Sequence, residues 1–98
     1  MEIAKVKIKV LRKVDTGDIR ENYGKEVGEC PEFKIGDEFV VEGLAIPNGF
    51  CSWAWADIQR DIVHLALGGD FPWIKEKGTV VSCCTDGLRP VIFEITRM

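Results

Sequence analysis

The sequence has no apolar run approaching the roughly 20 residues that a membrane span needs. Its amino terminus alternates lysine with valine and isoleucine where a secretory leader would carry an apolar stretch. Both absences predict a cytoplasmic chain with no membrane partner. An excess of positive charge is also missing: 13 Lys and Arg stand against 16 Asp and Glu, a net charge of −3. Such a surface has no general attraction for nucleic acid, and no nucleic-acid partner is expected. There is no phosphate-binding loop of the Walker type, no G-x-G-x-x-G, no G-x-S-x-G and no H-E-x-x-H. Conventional nucleotide-binding, hydrolase and zincin readings therefore lack support. Internal repeats, linkers and low-complexity segments are absent too. Small molecules, proteins and further copies of the chain, as in a homo-oligomer, are left as partners.

What is present fits one domain, since 98 residues cannot divide into two units that each bury a core. Val6, Ile8 and Val10 alternate with Lys5, Lys7 and Lys9, the period of a strand with one buried face. Leu11 and Val14 break that alternation, so this strand ends or bulges near those two residues. The lysine row reads as a solvated face that discourages edge-to-edge pairing. The segment 15–28 is polar and punctuated by glycine, with Ile19 and Tyr23 spaced for one or two helical turns. Lys34-Ile35-Gly36-Asp37 reads as a turn leading into a second strand over 38–42, and Pro47-Asn48-Gly49 reads as another turn. Residues 79–84 and 90–96 read as two further strands joined across Asp86-Gly87. The fold class predicted is α+β, a mostly antiparallel four-stranded sheet in the order β-β-α-β-β with one long helix packed on it.

That helix is predicted over 52–67. Trp55, Ile58, Ile62, Leu65 and Ala66 share a face at helical spacing, Asp57, Arg60, Asp61 and His64 lie opposite, and Gly68-Gly69 ends the pattern. Ser52 reads as the N-cap. Cys51 then lies just ahead of the first turn, where unpaired N–H groups and the positive end of the helix dipole favour a thiolate. It is the candidate reactive thiol. His64 is not its partner, because thirteen helical positions separate them by about 20 Å. Trp53 falls outside the apolar stripe and is expected either to cover Cys51 and Phe50 or to stand exposed as an anchor for a ligand.

The four cysteines stand at 30, 51, 83 and 84 with no Cys-x-x-Cys, so neither a zinc ribbon nor a thioredoxin-like pair is signalled. In a reducing compartment they are expected to be free thiols. Cys83 and Cys84 are neighbours in a strand and point to opposite faces. A site for zinc or iron would have to assemble from Cys30, Cys51 and one of that pair, with or without Asp86. Asp86 and Arg89 form a second candidate, either as a turn-fastening pair or as a fork for a carboxylate or phosphate. No base–nucleophile pair can be placed within reach, so a conventional enzyme ranks third. The leading expectation is a metal-binding or thiol-redox domain centred on Cys51. The alternative is a non-catalytic binding or assembly module that uses an aromatic patch around Trp53 and Trp73.

Four stretches carry a resemblance. Cys30-Pro31-Glu32-Phe33 running into Gly36-Asp37, Phe50-Cys51-Ser52-Trp53-Ala54-Trp55, Gly68-Gly69-Asp70-Phe71, and Cys84-Thr85-Asp86-Gly87-Leu88-Arg89-Pro90-Val91 resemble a family of small prokaryotic proteins of about this length and of unknown function. The resemblance spans nearly the whole chain. It implies a free-standing single domain and brings no activity, cofactor or catalytic residue with it. It marks Cys30, Cys51 and Cys84 as the sharper trio, with Cys83 outside the shared words.

Overall fold

A computed structural model describes residues 2–25, 28 and 30–98. Its elements run β1 (Val6–Lys13), α1 (Asp18–Tyr23), β2 (Glu38–Val41), α2 (Ser52–Ala66), β3 (Thr79–Cys83) and β4 (Val91–Arg97). The strands form one antiparallel sheet in the order β2-β1-β4-β3, which gives the expected α+β fold. Of the segment 15–28, Glu26 and Val27 lie outside the described residues. Among the described residues no helix is long and apolar enough to cross a membrane.

The period-two pattern of β1 buries Val6, Ile8 and Val10, and β4 answers with Val91, Phe93 and Ile95, all almost fully buried. Ile8 stands opposite Ile95 and Val10 opposite Phe93, so the two central strands build one apolar face. Helix α2 covers that face with Ala54, Ile58, Ile62, Leu65 and Ala66. Phe33 and Phe50, from the connections, close the core with ring centroids 5.1 Å apart, and both pack on Phe93. On the other face, Lys5 and Lys7 pair with Glu42 and Glu38 across β1 and β2 at 3.4 and 3.8 Å.

The register shifts between Val10 and Arg12, so β1 carries a bulge where Leu11 interrupts the alternation. One extra residue exchanges the faces, and Lys13 stands opposite the buried Val91. Its Nζ donates to the carbonyl oxygens of Cys30 at 3.1 Å and Phe33 at 2.8 Å. The bulge therefore fastens the Cys30–Phe33 segment to the end of the sheet.

Both predicted turns form. Asp37 N–H donates to Lys34 O with Gly36 at φ 91°, and Phe50 N–H donates to Pro47 O with Gly49 at φ 78°. Two helical expectations need correction. Ser52 is the first residue of α2 and Cys51 occupies the N-cap, extended at φ −64° and ψ 122°, with no side-chain cap bond. Asp61 is buried, 8 % exposed, not on the polar face. It lies only about 60° around the helix from Ile58, which puts it on the flank of the stripe that the sheet covers.

At its other end α2 finishes with Gly68 at φ 93°. Gly68 N–H donates to Leu65 O and Gly69 N–H to His64 O, a Schellman closure. Arg97, from the end of β4, adds Nη1 bonds to Leu65 O at 3.1 Å and Gly69 O at 2.7 Å. Asp70 holds Arg97 at 3.1 Å and takes the Gly78 N–H, the main cause of its carboxyl lying below the usual carboxylate range.

Candidate functional site

Three connections meet at the end of the sheet where β1 finishes and β4 begins. The first carries Cys30, Glu32 and Phe33, held by Lys13. The second is the entry to α2, with Cys51, Trp53 and Ala54. The third is the β3–β4 hairpin, residues 84–90. Together they line a pocket of about 450 Å³, whose walls include Cys30, Glu32, Phe33, Cys51, Trp53, Ala54, Cys84, Thr85, Asp86, Gly87 and Arg89. Three cysteines far apart in sequence thus reach one pocket. The volume is of the size that holds a small molecule.

Each thiol stands differently. Cys51 is half-buried at the helix start. Cys30 is buried under the segment that Lys13 fastens. Cys84 is buried and already engaged: its Sγ accepts the Val91 N–H at 3.2 Å while its own N–H donates to Val91 O at 3.1 Å. Cys83 is exposed on the other face, as strand alternation requires. All four cysteines are free thiols. Among the described residues no group of three His, Cys, Asp or Glu side chains is close enough to hold a metal ion.

The hairpin wall is rigidly built. Asp86 Oδ1 accepts the N–H groups of Leu88 at 3.0 Å and Arg89 at 3.2 Å, and Oδ2 accepts Arg89 Nε at 3.0 Å. Burial raises its pKa, but the Leu88 N–H and the side chain and N–H of Arg89 outweigh burial and hold the carboxyl below the usual carboxylate range. Asp86 and Arg89 are thus a turn-fastening pair that also faces the pocket. Asp57, one turn into α2, ties the helix to the same hairpin. It accepts the Thr85 N–H at 2.7 Å and the Thr85 hydroxyl at 3.0 Å.

Trp53 is 69 % exposed and stands over the pocket rim. It does not cover Phe50, whose ring meets Trp55 instead, at 6.2 Å between centroids. Trp73 is elsewhere. It packs on Phe71 at 5.2 Å, and Phe71 packs on His64, eleven positions along the helix from Trp53. That is about 16 Å of helix rise, so the two tryptophans belong to separate surfaces. His64 is exposed, with Nε2 2.9 Å from Asp70 O and its ring lying against Gly69.

Sequence reasoning missed Lys13, Glu32, Asp57 and Thr85. Leu11 breaking the alternation carried the signal for Lys13, because one extra residue exchanges the faces of the strand beyond it. Asp57 and Thr85 left no sequence signal, since their bond joins segments 28 residues apart. Comparisons with protein-family models, with curated proteins and with solved structures each return no match.

Proposed function

We propose that this pocket is the working site of the protein and that its chemistry is that of a thiol, with Cys51 as the reacting sulfur and Cys30 and Cys84 beside it. The observation that carries this reading is the convergence of three of the four cysteines, from three separate segments, on one pocket. Cys51 is the one of the three that is neither buried nor held by a backbone bond, and a thiol must be reached to react. Among the described residues, every one that lines the pocket also falls within one of three words that resemble the small prokaryotic family, the ones opening at Cys30, Phe50 and Cys84. The fourth word, Gly68 to Phe71, builds the far end of α2.

The binding-module reading has less behind it, because Trp53 and Trp73 share no surface. Trp53 joins the pocket instead, where it supplies apolar wall. The test is Cys51→Ser in protein purified without oxygen or chelator. Native-state alkylation by iodoacetamide, mapped by digestion, and zinc and iron content are both measured. Rapid labelling at Cys51, or a metal, is expected in the parent and absent from the variant. If labelling rate and metal content were the same in both, the thiol reading would be wrong.

A further inference from the structure

The polar groups on the pocket wall differ in how far they are already engaged. Asp86 spends both oxygens on the turn. Arg89 answers it through Nε alone, and its two terminal nitrogens make no hydrogen bond among the described residues. Glu32 is exposed, and its carboxylate has no partner among the described residues. The pocket therefore offers a free guanidinium edge, a free carboxylate and the Cys51 thiol, with apolar wall from Trp53, Phe33 and Ala54.

These charges choose among ligands. Two carboxylates and one guanidinium leave the wall net negative, which opposes a dianion such as phosphate. A guanidinium edge still binds a single carboxylate in two-pronged fashion. A ligand with charges of both signs fits both free groups at once. The chemistry at Cys51 narrows the class further. No histidine lines the pocket, and disulfide exchange is the thiol reaction that asks least of acid–base partners, because the attacking and leaving groups are both sulfur.

We infer that the pocket takes a small zwitterionic disulfide of the amino-acid type, its carboxylate on the Arg89 terminal nitrogens, its ammonium on Glu32 and its sulfur at Cys51. This rests on the thiol reading above. The Cys51 thiolate attacks one ligand sulfur, a bond forms between the two, and the ligand's own S–S bond breaks. The departing half leaves as a thiolate and takes up a proton from water, replacing the one Cys51 released. The ligand disulfide is the oxidant, and Cys51 ends as a mixed disulfide.

The test uses the unaltered, reduced protein and four symmetric disulfides: cystine, dithiodipropionate (carboxylate only), cystamine (ammonium only) and bis(hydroxyethyl) disulfide (neither). The rate of mass gain at Cys51 is divided by the rate for the urea-unfolded chain, which removes intrinsic reactivity. Cystine is expected to lead the neutral disulfide by about tenfold, the scale of one charge-assisted contact, with the other two between. Glu32→Gln, at an exposed and unpartnered site, is expected to erase the lead of cystine over dithiodipropionate. Four equal ratios, or cystamine leading, would overturn the ligand class. If iodoacetamide labels Cys51 rapidly while the disulfides show no ranking, the ligand class alone falls. If Cys51 in the folded protein ignores iodoacetamide as well, the thiol reading falls and takes this inference with it.

Discussion

The two ends of α2 are built on opposite principles. At the C-terminal end the polar groups are tied together: Gly68 and Gly69 close the last turn, Arg97 bridges Leu65, Gly69 and Asp70, and His64 lies against Gly69. At the N-terminal end the cap residue is a cysteine that makes no side-chain cap bond, and the walls around it hold two more thiols, Glu32 without a partner among the described residues, and Arg89 with its side chain bonded through Nε alone. Ser, Thr, Asp or Asn would satisfy the first turn better. The difference separates an end that holds the fold from the end that carries the proposed thiol site, a division in line with a trade between stability and function.

The contrast can be broken most forcefully at the closed end. Arg97→Ala removes three hydrogen bonds, two of them to backbone carbonyls. A loss of about 2 kcal/mol is expected from charge-assisted bonds of this kind. Urea denaturation measures it, and Cys51 labelling in the still-folded variant should stay as in the parent.

Asp57→Ala comes next. It cuts the tie between α2 and the hairpin, which is exposed, and costs about 1 kcal/mol. Because Thr85 is part of the pocket wall, the same change should raise the alkylation rate of Cys51. An unchanged rate would show that the hairpin is held by Asp86 and Arg89 alone.

Acid acts on both ends together. Asp70 is lowered mainly by the Gly78 N–H, and Asp86 by bonds from Leu88 and Arg89 that outweigh its burial. Asp15, bonded by Arg20, shifts the same way. Folded-state values below the unfolded one mean that their stabilisation is fully present above the ordinary aspartate pKa of about 4. It is lost as pH falls through the depressed values. The urea midpoint should be flat on this account from neutrality to mild acid and fall only below about pH 4.

The smallest effect belongs to the open end. Cys51→Ser removes the thiol yet breaks no cap bond, because none exists. Serine is among the preferred N-caps, so stability should hold within about 0.5 kcal/mol or rise slightly. A large fall would mean that Cys51 is held in place for packing.

Much of this was legible from periodicity. Val6, Ile8 and Val10 announced a half-buried strand, and Ile58, Ile62 and Leu65 announced the helix. The break in alternation at Leu11 and Val14 left an end or a bulge open, and the structure has the bulge, between Val10 and Arg12. What failed was finer. Charge alone puts Asp61 on the solvent side, although its angle places it on the flank of the buried stripe. The side chain of Ser52 suits a cap, whereas the helix begins one residue earlier than that cap would set it. The pocket itself was only half visible. Cys30, Cys51, Cys84, Asp86, Arg89 and Trp53 could be named from residue type and position. That they share walls depends on the strand order, which no local pattern encodes, and on Lys13 reaching the 30–33 backbone.

The central pairing of β1 with β4 has a kinetic consequence. These strands stand next to each other in the sheet but far apart along the chain, so joining them closes a long loop. During synthesis β1 can meet β2 early, yet its larger apolar partner, β4, emerges after the other elements among the described residues. Until then Ile8 and Val10 lack Ile95 and Phe93, and an apolar edge stays uncovered. The lysines alternating along β1 are the natural guard for that interval, keeping an unfinished sheet from pairing with its neighbours.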